Sequence, residues 1–403
     1  MRYLLFIFVL LSFSACSDSQ RHSNNPVSDL EQTLAELSAI DDSLLLAEKT
    51  DQLWDSLSTH SIIPTTHDST VIFLFRGEAE SVSWNGDFNS WSGDKRFQNS
   101  GTNVPGTDLW FLKATLPADG RYDYKVTIND EQWILDPANP YQQWSGFGPN
   151  SELRMPEWKP EPLKVRLEEA PKGNFSGDQM IHSDILGYDI SYRVYLPSCY
   201  SKDHSYPVAY FTDGQEYSHD SLGASIIMLD NLIHLKKIEP VIGVFVSPLN
   251  PDDESENRRA EEFAMNENYL NFYTQELIPG IESTYSVSEN AEDRAIIGTS
   301  FGGLAATYFA FSRPDIFGNT CIQAPAYWYR EDIYDLVRNS SATDLNIFMS
   351  VGTAGDNTVE ARLMRDIFMK KGLDFTYKEV NEGHSWGAWS TQMDEVFIQF
   401  FGN

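Results

Sequence analysis

At Arg294 the chain enters a short apolar run, Ala295-Ile-Ile297, that breaks at once into Gly298-Thr-Ser-Phe-Gly302. From Leu304 to Ala310 it then continues with the composition of a helix. Few folds can hold this order. An apolar run this short, with no polar alternation, reads as a strand buried on both faces of a parallel sheet. Glycines two residues either side of a serine suit a very sharp strand-to-helix turn, where backbone segments pass too close for a Cβ. The serine itself must then adopt a strained backbone, and such strain concentrates at functional sites. The turn exposes Ser300 Oγ near a helix N-terminus, where free backbone N–H groups can hold developing negative charge.

The spacing resembles the G-x-S-x-G nucleophile elbow of the α/β-hydrolases. Its surroundings agree. Strands are expected at Met180 to Leu186, Ser191 to Leu196, Val208 to Phe211, Val241 to Ser247, Ala295 to Ile297, Asn346 to Val351 and Phe375 to Val380. Helical runs separate the later ones: Ser221 to His234, Tyr269 to Tyr285, Leu304 to Phe311, Val359 to Lys371 and Trp389 to Phe400. This alternation over residues 176–403 predicts one doubly wound sheet, an α/β fold.

An elbow serine needs a base, and the base needs an orienting carboxylate. In the α/β-hydrolases these follow in the order serine, acid, histidine. His384, in Glu382-Gly-His-Ser-Trp386, is the single histidine after Ser300, on a loop between the last expected strand and helix. The acid is expected just past the strand Asn346 to Val351, which selects Asp356, with Glu360 one helical turn on as the reserve. The oxyanion donors are expected to be the backbone N–H of Phe301 and that of Gly214 or Gln215, after the strand ending at Phe211. Asp213-Gly-Gln215, Arg259-Ala-Glu-Glu-Phe263, the elbow, Arg313-Pro-Asp-Ile-Phe-Gly318 and Gly383-His-Ser-Trp386 together resemble the enterochelin esterase (Fes-like) and esterase D branch of this fold. That branch includes siderophore esterases, feruloyl and acetyl-xylan esterases and thioester hydrolases. Arg259 is expected at the substrate, and Tyr327 and Trp328, from the aromatic segment Gln323 to Tyr329, are expected to line the acyl pocket or to pack beneath it. The acidic loop Asp252-Asp-Glu-Ser-Glu256 is expected near the entrance.

The first half is organised differently. Leu30 to Leu57 shows helical spacing, with a cap expected near Ser28 and an end before Pro64. Between 66 and 156 come short β runs: Val71 to Phe75, Val82 to Trp84, Trp110 to Leu116, Tyr122 to Ile128 and Gln132 to Leu135. Asn85-Gly86, Asp119-Gly120 and Asn129-Asp130 punctuate them, which predicts a small immunoglobulin-like β-sandwich. Asn85-Gly-Asp-Phe-Asn-Ser-Trp91, Tyr122-Asp-Tyr-Lys125 and Glu131-Gln-Trp133 resemble the glycogen-binding modules of the AMP-activated kinase β subunit. The resemblance puts Trp91, Lys125 and Trp133 at sugar-platform positions; interdomain packing is the other use for the two indoles. A proline-rich linker spans 157–175.

Residues 1–16 read as a signal peptide, with Arg2, an apolar stretch from Leu4 to Leu11, and Ser14-Ala-Cys16. The segment resembles that of a lipoprotein, which implies lipidation at Cys16, a tether over 17–65 that includes the helical segment, and a location outside the cytoplasm. The net charge of −30, without a basic cluster, argues against nucleic acid and anionic membrane surfaces as partners. Any membrane attachment is expected through Cys16 alone. The sequence has no CxxC, HExxH or histidine cluster, so no metal is indicated, and the resemblance implies no cofactor. Cys321, in an apolar run, reads as a buried free thiol. The expectation is a serine esterase acting on acyl or feruloyl esters of carbohydrates. A siderophore esterase is the alternative, and a non-catalytic surface glycan-binding lipoprotein the alternative of another class. An acidic chain suits a neutral ester better than an anionic ferric catecholate.

Overall fold

The computed structural model describes residues 25–403, so the expected signal segment, Cys16 and the first part of the tether lie outside the described residues. Two helices, Pro26–Leu37 and Ser43–Thr59, open it. The first is capped by Asn25, whose Oδ1 accepts from Ser28 N at 3.1 Å, rather than near Ser28 itself. Pro26 accounts for the earlier start, since its fixed φ and missing N–H suit the first helical position. Val27, Leu30, Leu34, Leu37 and Leu46 pack onto Ile72, Leu74 and Leu109 of the sheet behind.

That sheet is one of two in a β-sandwich. Its strands run in the order Thr65–His67, Thr70–Arg76, Leu109–Thr115, Thr102–Asn103. The other sheet runs Val82–Gly86, Arg121–Ile128, Gly148–Arg154, Gln142–Ser145, with Gln132–Ile134 also paired to Arg121–Ile128. All these pairs are antiparallel. Val71 and Phe73 face Trp84, Tyr124 and Val126 in the core between the sheets. Ile72 and Leu74 face the helices, which is why the run from 71 to 75 is apolar throughout instead of alternating. The hairpin Gln142–Ser145/Gly148–Arg154 had no clear sequence signal, because its strands carry mostly polar residues.

Residues after 156 strap onto the second domain rather than hang free. Asn231 Nδ2 donates to the carbonyls of Leu163 and Val165 at 2.9 and 2.8 Å, and Arg166 pairs with Asp230 at 2.6 Å. The second domain is a nine-stranded sheet in the order Asn174–Phe175, Tyr188–Leu196, Ile242–Val246, Val208–Phe211, Arg294–Thr299, Asn319–Gln323, Asn346–Gly352, Phe375–Val380, with Gln179–Ser183 paired to Tyr188–Leu196. It is parallel from Ile242–Val246 onward, and helices pack over two apolar faces. This is an α/β-hydrolase sheet preceded by a β-rich domain. The strand Asn319–Gln323 beside the elbow strand was not expected; Thr320-Cys-Ile-Gln is too short and mixed to stand out. Cys321 lies within it as a free, buried thiol. Among the described residues no helix is long and apolar enough to cross a membrane.

Candidate active site

Ser300 sits between the strand Arg294–Thr299 and the helix Phe301–Ser312 with φ 58° and ψ −117°. Few non-glycine residues adopt a positive φ, so the backbone is strained where the sequence requires it. The two glycines are there for room. A Cβ on Gly298 would overlap the carbonyl of Gly302, and one on Gly302 would overlap Thr212 Oγ1. Ser300 N donates to Gln323 O at 2.9 Å, and Ser300 O accepts from Ala326 N at 2.9 Å, so the unexpected strand and the loop after it clamp the turn.

His384 Nδ1 lies 2.6 Å from Asp356 Oδ1. The Asp356 side chain is fully buried and also accepts from Gly352 N and Asn357 N, each at 2.7 Å. A neutral ring that donates from Nδ1 to this carboxylate would leave Nε2 as an acceptor. The ring stands edge-on to Trp389, centroids 4.8 Å apart. Glu360 is in the first turn of the helix Thr358–Lys371, its carbonyl accepting from Tyr334 Oη at 3.2 Å. Asp356, not Glu360, is the carboxylate against the histidine.

Phe301 begins a helix, and Gly214 begins the short helix Gly214–Tyr217 after Asp213, whose φ is 51°. The first N–H groups of a helix have no intrahelical acceptor, so Phe301, Gly214 and Gln215 carry amides of that kind, but Gly214 and Gln215 line a different cavity from the one that Ser300 and His384 line. A Cβ on Gly214 would overlap the backbone of Phe245 and Val246. Arg259 ties the two helix starts together: Nε pairs with Asp213 Oδ1 at 2.7 Å and Nη2 donates to Thr299 O at 3.0 Å.

Ser300 and His384 line one cavity of about 320 Å³. Arg259 lines it too, but as an ion-paired brace. The aromatic segment divides. Tyr327 is fully buried, with its hydroxyl 2.8 Å from Thr307 Oγ1, so it is a core residue and does not reach the cavity. Trp328 is half exposed and packs edge-on to Phe301, outside the cavity wall. The acidic loop forms an exposed hairpin, Leu249–Asn250/Asp253–Asn257, of which Asn257 reaches the wall.

A family model described as "Esterase: Putative esterase" matches residues 183–400, more than half of the 403. The chain belongs to this esterase family. Among its relatives, the uncharacterized protein YjcH of Bacillus subtilis is 26% identical over 232 residues, which is 55% of this chain and 95% of that protein. The iron(III) enterobactin esterase of an Escherichia coli O6:H1 strain is 25% identical, over 56% of this chain and 60% of that one. The endo-1,4-beta-xylanase/feruloyl esterase of Xylanibacter ruminicola is 32% identical over 36% of this chain and 20% of that protein. In fold, the esterase is similar to the enterobactin esterase FES of Shigella flexneri, with a TM-score of 0.67 and 21% identity, over 82% of this chain and 92% of that one.

In this esterase the sandwich supplies much of the cavity wall. Asp87, Trp91, Asp123, Phe147 and Asn150 line it together with Trp386 and Trp389. Trp91 Nε1 donates to Asp87 Oδ1 at 3.1 Å, and its ring stacks on Trp133 at 6.4 Å and 26°. Trp133 is 44% exposed and pairs across from Thr127. Lys125 lies two residues before Thr127 on that strand, hence on the same face. The three residues expected at a sugar platform therefore share one face, and Trp91 belongs to both platform and cavity. Burial, with Asp123 beside it, pushes the Asp87 carboxyl well above the usual carboxylate range. Sequence reasoning missed Asp87, Asp123 and Phe147 because they become site residues only through the docking of two domains.

Proposed function

We propose that this esterase hydrolyses carboxylic esters borne by carbohydrates, through an acyl-enzyme on Ser300. Ser300 Oγ attacks the ester carbonyl while His384 Nε2 takes its proton. Asp356 orients the ring and stabilises the imidazolium, and the amides of Phe301 and Gly214 or Gln215 hold the oxyanion. His384 then returns the proton to the leaving alkoxide, and water repeats the cycle on the acyl-enzyme. The observation that carries this reading is the 2.6 Å His384–Asp356 contact on the cavity that Ser300 lines.

The substrate class rests on the wall. Among the described residues lining the cavity, Arg259 is the one arginine and no lysine joins it, while Asp87, Asp123, Asp213 and Glu216 are acids. Arg259 is already paired with Asp213. An anionic ferric catecholate would meet no uncommitted arginine or lysine there, whereas a neutral sugar has hydroxyls to donate and apolar faces for Trp91 and Trp133. We also propose that Cys16 is lipidated and holds the protein outside the cytoplasm; loss of labelled fatty-acid incorporation in Cys16→Ser is the expected result.

The test is ester hydrolysis by the chain lacking residues 1–16, wild type against Ser300→Ala, on acetylated xylan, methyl ferulate and a catecholate siderophore. Release from the sugar or ferulate esters that falls about a thousandfold or more in Ser300→Ala is expected. Release from the siderophore alone would overturn the substrate class. Turnover undiminished in Ser300→Ala would overturn the mechanism, and glycan binding lost in Trp91→Ala without any hydrolysis would make the protein a binding module.

A further inference from the structure

The loop that carries His384 is seated on the sandwich. Arg121, at the start of the sandwich strand Arg121–Ile128, is completely buried at the junction of the two domains. Its Nη2 pairs with Asp123 Oδ1 at 2.6 Å and its Nε with Glu152 Oε1 at 2.7 Å, both within the sandwich. Its third nitrogen, Nη1, crosses to the other domain, donating to Ser385 Oγ at 3.1 Å and standing 3.8 Å from Glu382 Oε2. Its backbone N donates to Asn381 O at 3.1 Å. Residues on both sides of His384 are therefore held by one sandwich residue.

The glycines of the loop record how close this contact is. A Cβ on Gly387 would overlap the Arg121 guanidinium carbon, and one on Gly383 would overlap the Asp87 carboxyl carbon. The loop bearing Asp356 rests on the same surface. A Cβ on Gly355 would stand 3.1 Å from Asp87 O and Ser90 Oγ, and Ala354 packs against the sandwich core. Burial alone would make Arg121 release its proton more easily, but Asp123, Glu152 and Glu382 more than reverse this and keep it charged. A buried cation shared by several acids is a poor device for stability, because desolvation cancels most of its attraction; its directional bonds fix geometry instead.

We propose that Arg121 is a positioning residue for His384, so that the sandwich is a working part of the catalytic centre. The inference rests on the reading of His384 as general base. A misplacement of about 1 Å can cost a hundredfold in rate without touching the reacting groups.

The test uses Ser385→Ala, which removes one bond of Nη1, and Arg121→Lys, which keeps the charge but cannot reach all its partners. Ile72→Val, in the separate cluster between the sandwich and its two opening helices, serves as a stability control. On a p-nitrophenyl ester, Ser385→Ala and Arg121→Lys are expected to lower kcat at least about tenfold with KM within threefold, whereas Ile72→Val lowers Tm and leaves kcat unchanged. A readout without substrate accompanies this: the His384 ring resonance, assigned by its loss in His384→Asn, should shift in the first two variants and not in the third. If both variants fold with wild-type kcat and an unmoved His384 resonance, the contact is an adhesive between domains and the proposal fails. A moved resonance with an inactive wild type would uphold the positioning and sink the esterase reading alone.

Discussion

Gly298 and Gly302 bracket Ser300, and Gly383 and Gly387 bracket His384, yet a methyl group on each pair would strike different parts of the molecule. At the elbow it would meet Gly302 itself and Thr212, all within the hydrolase sheet and its helix. At the histidine it would meet Asp87 and Arg121, which belong to the sandwich. The first turn is a property of the fold and would be needed in any chain of this architecture. The second is a property of this pair of domains. One candidate catalytic residue is thus placed by local backbone geometry, the other by a neighbour whose sequence begins more than two hundred residues earlier.

Substitutions should separate the two cases. Gly298→Ala has the largest expected effect, since its methyl meets backbone that cannot move without unmaking the turn; a loss on the order of 4 kcal/mol and no hydrolysis are expected in thermal unfolding and ester assays. Gly387→Ala meets a side chain instead, and should leave a folded protein whose kcat falls about tenfold or more. A Gly387→Ala enzyme with undiminished kcat would erase the distinction.

The buried acids sharpen the same contrast. Glu262 lies wholly inside the hydrolase domain, and burial, partly offset by Tyr188 and Arg258, pushes its carboxyl up to about 8. The folded state therefore favours the neutral acid. Its contribution to stability is fully present below the ordinary glutamate value of about 4.3 and is lost as pH rises through about 8. Glu262→Gln should flatten that part of the profile and raise Tm above wild type at pH 8. The sandwich acid Glu152 is buried, which alone would raise its carboxyl, but Arg121 and Arg154 hold it below the usual carboxylate range, so its contribution is lost in the opposite direction, on acidification. The smallest effect is expected at the platform: Trp133→Ala should raise KM for an acylated oligosaccharide about threefold to tenfold, the size of one stacking contact.

The two glycine pairs also mark what the sequence could disclose. Ser300, its glycines and the strand and helix around it all lie within residues 294–312, so their mutual constraint is written in one place. Asp356 and His384 were legible by order, because the topology brings the ends of successive parallel strands to one edge of the sheet. Tyr327 looked like a pocket aromatic, but its burial depends on Thr307 and Tyr334, which no local pattern reveals. Arg259 looked free for substrate, and its partner Asp213 is forty-six residues away. The strand Asn319–Gln323 was legible only as a short apolar stretch around Cys321, because its polar residues are buried as well and break any periodic pattern.

The seating of the histidine loop bears on how such a protein can be assembled from parts. A hydrolase half made alone would expose the hollow left by Arg121, strip Glu382 of its cation, and leave Gly383 and Gly387 as slack links beside His384. The sandwich could not be exchanged for another of the same outline unless the replacement carried a guanidinium and a carboxyl at the same two points. Two modules that look separable by their folds have in this chain become a single heritable unit.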